Sequence, residues 1–83
     1  MATDPIDPPS IPKVRLYLGA NVKRWRGICR LTQVQLAAKI GMDRSFLSNI
    51  ENGSVAASVD TVERLAKEFR IQAASLLMPP SKP

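Results

Sequence analysis

A polar set of side chains lies between positions 44 and 52, at spacings that place it on one side of a helix. Each helical residue advances by about 100°, so Leu47 and Ile50 would point inward. The polar residues that would then point away from the core are Ser45, Ser48, Asn49 and Asn52, while Arg44 would lie to one side and project from the helix end. Such a face offers hydrogen-bond donors and acceptors without a repulsive carboxylate, and an arginine can donate to O6 and N7 of one guanine. It therefore suits the base edges and phosphates of a nucleic acid, the alternative being an ordinary solvated polar face.

The distribution of charge favours an anionic partner. The chain has a formal net charge of +5 and a pI near 10. Seven basic residues and no acidic residue lie between positions 13 and 42. A block of this kind can line a phosphate backbone. Charge alone would equally describe a solvated basic face, so the argument depends on the elements that position these side chains.

Two short helices joined by a tight turn are predicted over residues 32–53. Thr32 and Asp43 are candidate N-caps, since their side-chain oxygens can accept bonds from orphan backbone N–H groups. Gly41 lies where the first helix must end and the chain reverse, a position that favours positive φ. The apolar residues that recur at helical spacing are Leu36, Ala37, Ile40, Leu47 and Ile50. This pattern predicts two helices that cross closely at Ala37, as in a helix-turn-helix.

Three further helices are predicted around this pair. The first runs from about Val14 or Leu16 to Cys29, with an apolar stripe at Leu18, Val22, Trp25 and Cys29 that makes Trp25 and Cys29 core residues. The fourth begins at the N-cap Ser58, and its core stripe is Val59, Val62, Leu65, Ala66 and Phe69. A short fifth helix spans about 73–78. The predicted organisation is a flexible proline-rich arm at 1–12, one domain at 13–78 and a tail at 79–83.

Composition excludes several classes of function. The 83 residues include no histidine and one cysteine, which argues against a protein-only metal site, a histidine-dependent catalytic triad and an internal disulfide. We expect no enzyme activity, no metal and no cofactor. No apolar run approaches the ~20 residues that span a bilayer, and the N-terminus lacks a signal-peptide core. Cytoplasmic residence without a membrane partner is the expectation.

The predicted helix-turn-helix resembles that of the lambda-repressor-like (Xre/Cro) family. The matching positions are Gln33, Leu36, Ala37, Ile40, Gly41, Met42, Leu47 and Ile50. The run from Asp43 to Ser48, followed by Glu51-Asn52-Gly53, is most similar to the small controller proteins of restriction–modification systems. The likeness extends from about Leu18 to Leu77. It implies an all-α, compact five-helix DNA-binding domain whose helix-turn-helix is formed by helices 2 and 3.

The resemblance also implies roles for individual residues. The residues expected to contact bases are Arg44, Ser45, Ser48 and Asn49, and those expected to contact the DNA backbone are Gln33, Asn52, Arg30 and Ser54. An ion pair between Arg26 and Glu51 is expected to join helix 1 to helix 3. Relatives commonly have glycine where this chain has Arg30, so helix 1 ends on a less suitable residue. Relatives also have Gly and Ser where this chain has Arg70 and Gln72.

The function implied is that of a double-stranded DNA-binding transcriptional regulator. Leu76, Leu77 and Met78 are expected to form the interface of a homodimer that binds a palindromic operator. The resemblance also implies control of restriction–modification genes. Bound protein would repress by occluding the promoter or activate through contact with RNA polymerase, and the sequence leaves both open. The alternative is an antitoxin that binds both DNA and a toxin protein. A protein-only adaptor and an RNA-binding protein are weaker alternatives.

Overall fold

Five helices make up the part of the chain that the structure, a computed structural model, describes, which is residues 10–80. They are α1 (Lys13–Ile28), α2 (Gln33–Ile40), α3 (Arg44–Glu51), α4 (Val59–Phe69) and α5 (Ala73–Leu77). Residues 10–80 contain no strand, and the all-α prediction is confirmed. None of these helices is long and apolar enough to cross a bilayer. Most of the predicted arm (residues 1–9) and tail (residues 81–83) lies outside the described residues.

The predicted N-caps are confirmed at all three helices. The Thr32 hydroxyl accepts a hydrogen bond from the Gln35 backbone N–H at 3.0 Å, and the Gln35 side chain accepts from the Thr32 N–H at 2.9 Å. This reciprocal capping box satisfies two orphan donors at once. Asp43 accepts from the N–H groups of residues 45 and 46, and Ser58 accepts from that of residue 61 at 3.1 Å. The beginnings of α2, α3 and α4 are therefore set by local sequence.

Four of the helices end in the same backbone arrangement, the Schellman motif, in which a left-handed residue follows the helix. That residue is Gly41 after α2 and Gly53 after α3, with φ of 68° and 79°. After α1 and α4 it is Arg30 and Arg70, with φ of 59° and 60°. The following N–H closes each motif by donating to a carbonyl five residues earlier; the pairs are Leu31 to Arg26, Met42 to Ala37, Ser54 to Asn49 and Ile71 to Ala66. Two ends thus use glycine and two use arginine.

The core lies where α1, α3, α4 and α5 meet, with α2 packed against α3 and α4. Its buried side chains are Leu18, Val22, Leu36, Ala37, Ile40, Leu47, Ile50, Val62, Leu65, Ala66, Phe69 and Leu76. The half-buried Trp25 packs against this core and stacks on Phe69, with ring centroids 6.3 Å apart. Trp25 is therefore a packing residue, as predicted.

Two residues of the predicted core lie at the surface instead. Cys29 is exposed, because it follows the last residue of α1 and the chain turns there before the apolar stripe can continue. Val59 is 77% exposed, because it opens α4 beyond the edge of the core. The predictions for these two residues were wrong. Gly27, in the last turn of α1, has open space around it and nothing in the fold explains it.

An apolar groove lies between the first turn of α1, the beginning of α4 and α5. This apolar groove has a volume of about 270 Å³. Its lining residues are Pro12, Val14, Arg15, Leu18, Ala56, Ala57, Val59, Val62 and Leu77. Val14 and Val59 at its rim are both exposed. The groove is an open apolar surface on a chain too small to bury all of its nonpolar side chains.

Candidate nucleic-acid interface

The outward face of α3 is free within the described part of the chain. Arg44, Ser45 and Asn49 are exposed, and Ser48 is half-buried. None of these four side chains has a hydrogen-bond partner among residues 10–80. The Asp43 carboxylate at the start of the helix is occupied in capping it. The expected base-contacting residues therefore share one accessible surface whose donors and acceptors are available to another molecule.

The other side of α3 is held against α1 through a backbone contact at Gly19. A Cβ atom added to Gly19 would lie 2.6 Å from the carbonyl oxygen of Ile50 and closer still to that of Glu51. Real Cβ atoms do not approach backbone oxygens this closely, so only glycine permits the crossing. Sequence reasoning missed Gly19, because no local pattern tells which helix will cross a glycine.

The predicted ion pair between α1 and α3 is confirmed. Arg26 Nε donates to Glu51 Oε2 at 2.7 Å and Nη2 donates to Oε1 at 3.0 Å, a bidentate geometry. Arg26 Nη1 also donates to the Leu31 carbonyl at 2.9 Å, which ties the α1–α2 turn to the pair. The side chains of Arg26 and Glu51 are 18% and 5% exposed. The hydrogen bond to Glu51 raises the pKa of Arg26, the charge of Glu51 adds to this, and burial opposes it.

Three of the four expected backbone-contacting residues also have partners inside the molecule. Gln33 Nε2 donates to Glu51 Oε1 at 3.0 Å, so Gln33 joins the ion pair. Asn52 Oδ1 accepts from the Ser54 backbone N–H at 3.0 Å, and Ser54 Oγ donates to the Asn49 carbonyl at 3.3 Å. Each Gln33 and Asn52 amide group still carries an N–H for another acceptor. Arg30 is exposed, and its guanidinium has no partner among residues 10–80.

A polar cleft of about 370 Å³ opens where α1, α2 and α3 meet. Its lining residues are Lys23, Arg26, Gln33, Ser48, Glu51 and Asn52. Because Arg26 and Glu51 neutralise each other, Lys23 leaves the cleft with a net positive charge. Sequence reasoning counts Lys23 only within the basic block, yet its position three residues before Arg26 places it on the same side of α1.

The structure corrects one residue of the expected dimer interface. Leu76 is 0% exposed, because it packs into the core of its own chain, and it has no surface to offer a second copy. Leu77 is half-buried and lines the apolar groove, and Met78 is 58% exposed. The buried Asn21 of α1, which sequence reasoning missed, donates through Nδ2 to the carbonyls of Leu76 at 3.0 Å and Met78 at 2.8 Å.

Within residues 10–80 no three His, Cys, Asp or Glu side chains come together where they could hold a metal ion. What the geometry provides is a helix-turn-helix with a free polar face beside a positively charged cleft. These features define a DNA-binding helix-turn-helix domain of the lambda-repressor-like fold. The family model HTH_3, described as helix-turn-helix, matches residues 22–76, and the chain belongs to this family.

Individual relatives agree with this assignment. Over 65 residues the chain is 31% identical to the control protein C.BamHI of Bacillus amyloliquefaciens, covering 77% of this chain and 80% of that protein. It is 37% identical over 62 residues to the immunity repressor protein of Bacillus phage phi105, covering 75% of this chain but only 43% of the repressor. The chain thus spans less than half of that repressor's length.

The fold is also that of a solved structure. A hypothetical transcription factor from Neisseria superposes with a TM-score of 0.78 at 28% sequence identity, covering 94% of this chain and 90% of that one. The resemblance to the Xre type that the helix-turn-helix residues suggested is therefore confirmed, and so is the fold class. The chain is a helix-turn-helix protein, and its relatives include a repressor, a control protein and a hypothetical transcription factor.

Proposed function

We propose that the protein is a sequence-specific regulator of transcription that inserts α3 into the major groove of double-stranded DNA. The observation that carries the proposal is the free polar face of α3 next to a cleft of net positive charge. A face that is merely solvated does not need a positively charged cleft beside it. A recognition helix needs both a side that contacts base edges and a neighbouring contact to phosphate. The names of two relatives, a repressor and a control protein, support the same interpretation.

The proposed contacts divide into two groups. Arg44 donates to O6 and N7 of a guanine, and Ser45, Ser48 and Asn49 complete the reading of base edges. The backbone-contacting group is Gln33, Asn52, Arg30 and Ser54. Gln33 lies at the start of α2, where backbone N–H groups favour an anion, and its partner Glu51 orients its amide. The first group would set sequence preference and the second affinity and register.

Binding-site selection from random duplexes tests this division. Selection with the Arg44→Ala variant should relax the preference at one or two positions of the recovered motif, since each bidentate contact discriminates by about 1–3 kcal/mol. Selection with Gln33→Ala should recover the wild-type motif at lower affinity. If both variants lose affinity alike and recover the same motif, Arg44 does not read bases.

We further propose that the protein binds a palindromic operator as a homodimer. Two α3 helices one helical turn apart, about 34–36 Å, would enter successive major grooves. The apolar groove, with Leu77 inside it and Val14 and Val59 at its rim, is the surface we assign to the second copy. Met78 is 58% exposed but does not line this groove, and we keep it as a proposed contact at the margin of the interface. The sequence predicts an interface formed by α5 side chains alone. Because Leu76 lies in the core, the interface we now propose is centred on this groove instead.

Sedimentation of the DNA-free protein tests the dimer. Val59→Asp places a charge in the proposed interface, and because Val59 is 77% exposed the monomer should still fold. We expect this variant to sediment as a monomer at concentrations where the wild type is dimeric. Val34→Asp is the matched control, since Val34 is 61% exposed on α2 and outside the groove. A wild-type protein that sediments as a monomer both alone and in complex with its operator would refute the dimer.

The regulated genes are proposed to be those of a restriction–modification system, including the gene for this protein itself. The resemblance of residues 43–48 to controller proteins of restriction–modification systems supports this role, and so does the similarity to the control protein C.BamHI. A reporter joined to the protein's own promoter should respond to the wild type and not to Arg44→Ala. An unchanged reporter signal would exclude autoregulation.

A further inference from the structure

Arg30 and Arg70 occupy the same kind of position at the ends of α1 and α4. They are the two non-glycine residues with positive φ within residues 10–80, and both close a Schellman motif. The equivalent residues after α2 and α3 are Gly41 and Gly53. Left-handed backbone is unfavourable for a residue with a Cβ atom and is normally left to glycine. Each arginine therefore destabilises its helix end relative to glycine.

Nothing within the described fold compensates for this at either arginine. Both side chains are exposed, and neither guanidinium donates a hydrogen bond or forms an ion pair with another of residues 10–80. A cation near a helix C-terminus gains a little from the helix dipole, and that gain applies to both residues equally. Both arginines therefore share the unfavourable conformation, and only their positions in the fold can assign a DNA contact to one of them.

The two arginines differ in where their helix ends lie. Arg30 stands between α1 and α2, three residues before Gln33, and the turn that contains it is fixed by the bond from Arg26 to the Leu31 carbonyl. It is thus beside the start of α2, and both Arg26 and Gln33, which flank this turn, line the cleft that carries Lys23. Arg70 stands between α4 and α5, and α5 packs on α1 and α4 rather than on the helix-turn-helix.

We propose that Arg30 occupies a position better suited to glycine because its guanidinium binds a DNA phosphate beside the start of α2, so that lower fold stability accompanies higher affinity. The proposal rests on the proposed DNA-binding function and adds a reason why position 30 is an arginine and not a glycine. Arg70 carries the same conformational disadvantage without a contact to DNA. Glycine at position 30 should therefore change both the stability of the fold and its affinity for DNA, whereas glycine at position 70 should change the stability alone.

Thermal unfolding and DNA titration of Arg30→Gly and Arg70→Gly test the proposal. Both variants should unfold at a higher temperature, by about 4–8 °C, since glycine removes the backbone disadvantage. On a short labelled duplex of mixed sequence, Arg30→Gly should bind about tenfold more weakly at low salt. The slope of log K against log salt should fall by about 1 for each phosphate that the variant no longer neutralises. Arg70→Gly should match the wild type in both binding measurements.

A third variant separates charge from conformation. Arg30→Lys keeps the cation and the unfavourable backbone, so it should retain most of the affinity and the wild-type salt slope without a rise in Tm. The proposal is overturned if Arg30→Gly binds as the wild type does, or if Arg70→Gly is weakened equally. Failure of the wild type to bind any duplex would refute the proposed function, and this proposal with it.

Discussion

The two ends of α3 are held in different ways. At the first turn the Asp43 carboxylate accepts two backbone N–H groups, and the adjacent Arg44 and Ser45 remain exposed. At the last turn Glu51 is 5% exposed in a bidentate ion pair, and the helix backbone lies directly against Gly19. The polar contacts at the first end come from one local cap, whereas those at the last end come from two other helices. A recognition helix can therefore keep its reading side free of internal partners, because its opposite end supplies the rigidity.

The largest loss of stability is expected from Gly19→Ala, which acts on the last turn of α3. The added methyl would overlap the carbonyl oxygens of Ile50 and Glu51, so α1 and α3 must separate. We expect a loss of about 3 kcal/mol in the free energy of unfolding, measured by urea denaturation. Gly27→Ala is the control, since open space surrounds Gly27, and it should stabilise the same helix by about 1 kcal/mol. Equal behaviour of the two variants would show that Gly19 does not limit the crossing.

Removal of the ion pair should have the next largest effect. Arg26→Met leaves the Glu51 carboxylate buried with Gln33 as its remaining side-chain partner. We expect a loss of about 2–3 kcal/mol, below the range for a fully buried pair because Arg26 is 18% exposed. Lys67→Met removes one member of the exposed pair with Glu63 and should change the free energy of unfolding little. A harmless Arg26→Met would place the anchor of α3 elsewhere.

The raised pKa of Arg26 fixes the pH range in which the pair acts. A basic group whose pKa rises on folding stabilises the native state fully below its unfolded pKa, and loses that contribution only as pH passes the folded value. For an arginine both values lie far above neutrality. The difference between wild type and Arg26→Met that comes from this guanidinium should therefore be constant from neutral to moderately alkaline pH.

The smallest effect is expected at the free end of α3. Asp43→Ala removes the side-chain cap, which should lower the free energy of unfolding by about 1 kcal/mol. Because Arg44 lies in the first turn, fraying there should also reduce discrimination between operator sequences. Asp43→Asn keeps a good capping side chain and should behave as the wild type in both measurements. If Asp43→Ala unfolds and discriminates between operators as the wild type does, the cap does not hold this end of the helix.

The features that could be predicted from the sequence are those with a local or family-specific signal. Thr32, Asp43 and Gly41 act through neighbours within a few residues, and the Arg26–Glu51 pair followed from the resemblance of the whole motif. Helical periodicity identifies an apolar side but not where the core ends along it. For this reason periodicity assigns Val59 to the core, although Val59 lies beyond the edge of the core and is exposed.

Features that depend on contacts between distant helices could not be predicted in this way. Gly19 is significant only because α1 crosses α3. Leu76 is predicted at an interface because its burial depends on the packing of α5 against α1 and α4, which the sequence does not show. The bond from Gln33 to Glu51 likewise depends on how α2 packs against α3, whereas the bonds of Asn52 and Ser54 form locally in the turn after α3. Spacing in a single sequence carries no information about such crossings.

The hydrogen bonds from Asn21 have a consequence for how the protein folds as it is synthesised. The acceptors of its buried amide, the carbonyls of residues 76 and 78, leave the ribosome after the first four helices have emerged. Until then the amide can be buried only without a partner, which is unfavourable. We expect nascent chains arrested before this point to remain open to proteases, with closure of the domain as a single event once residue 78 has emerged.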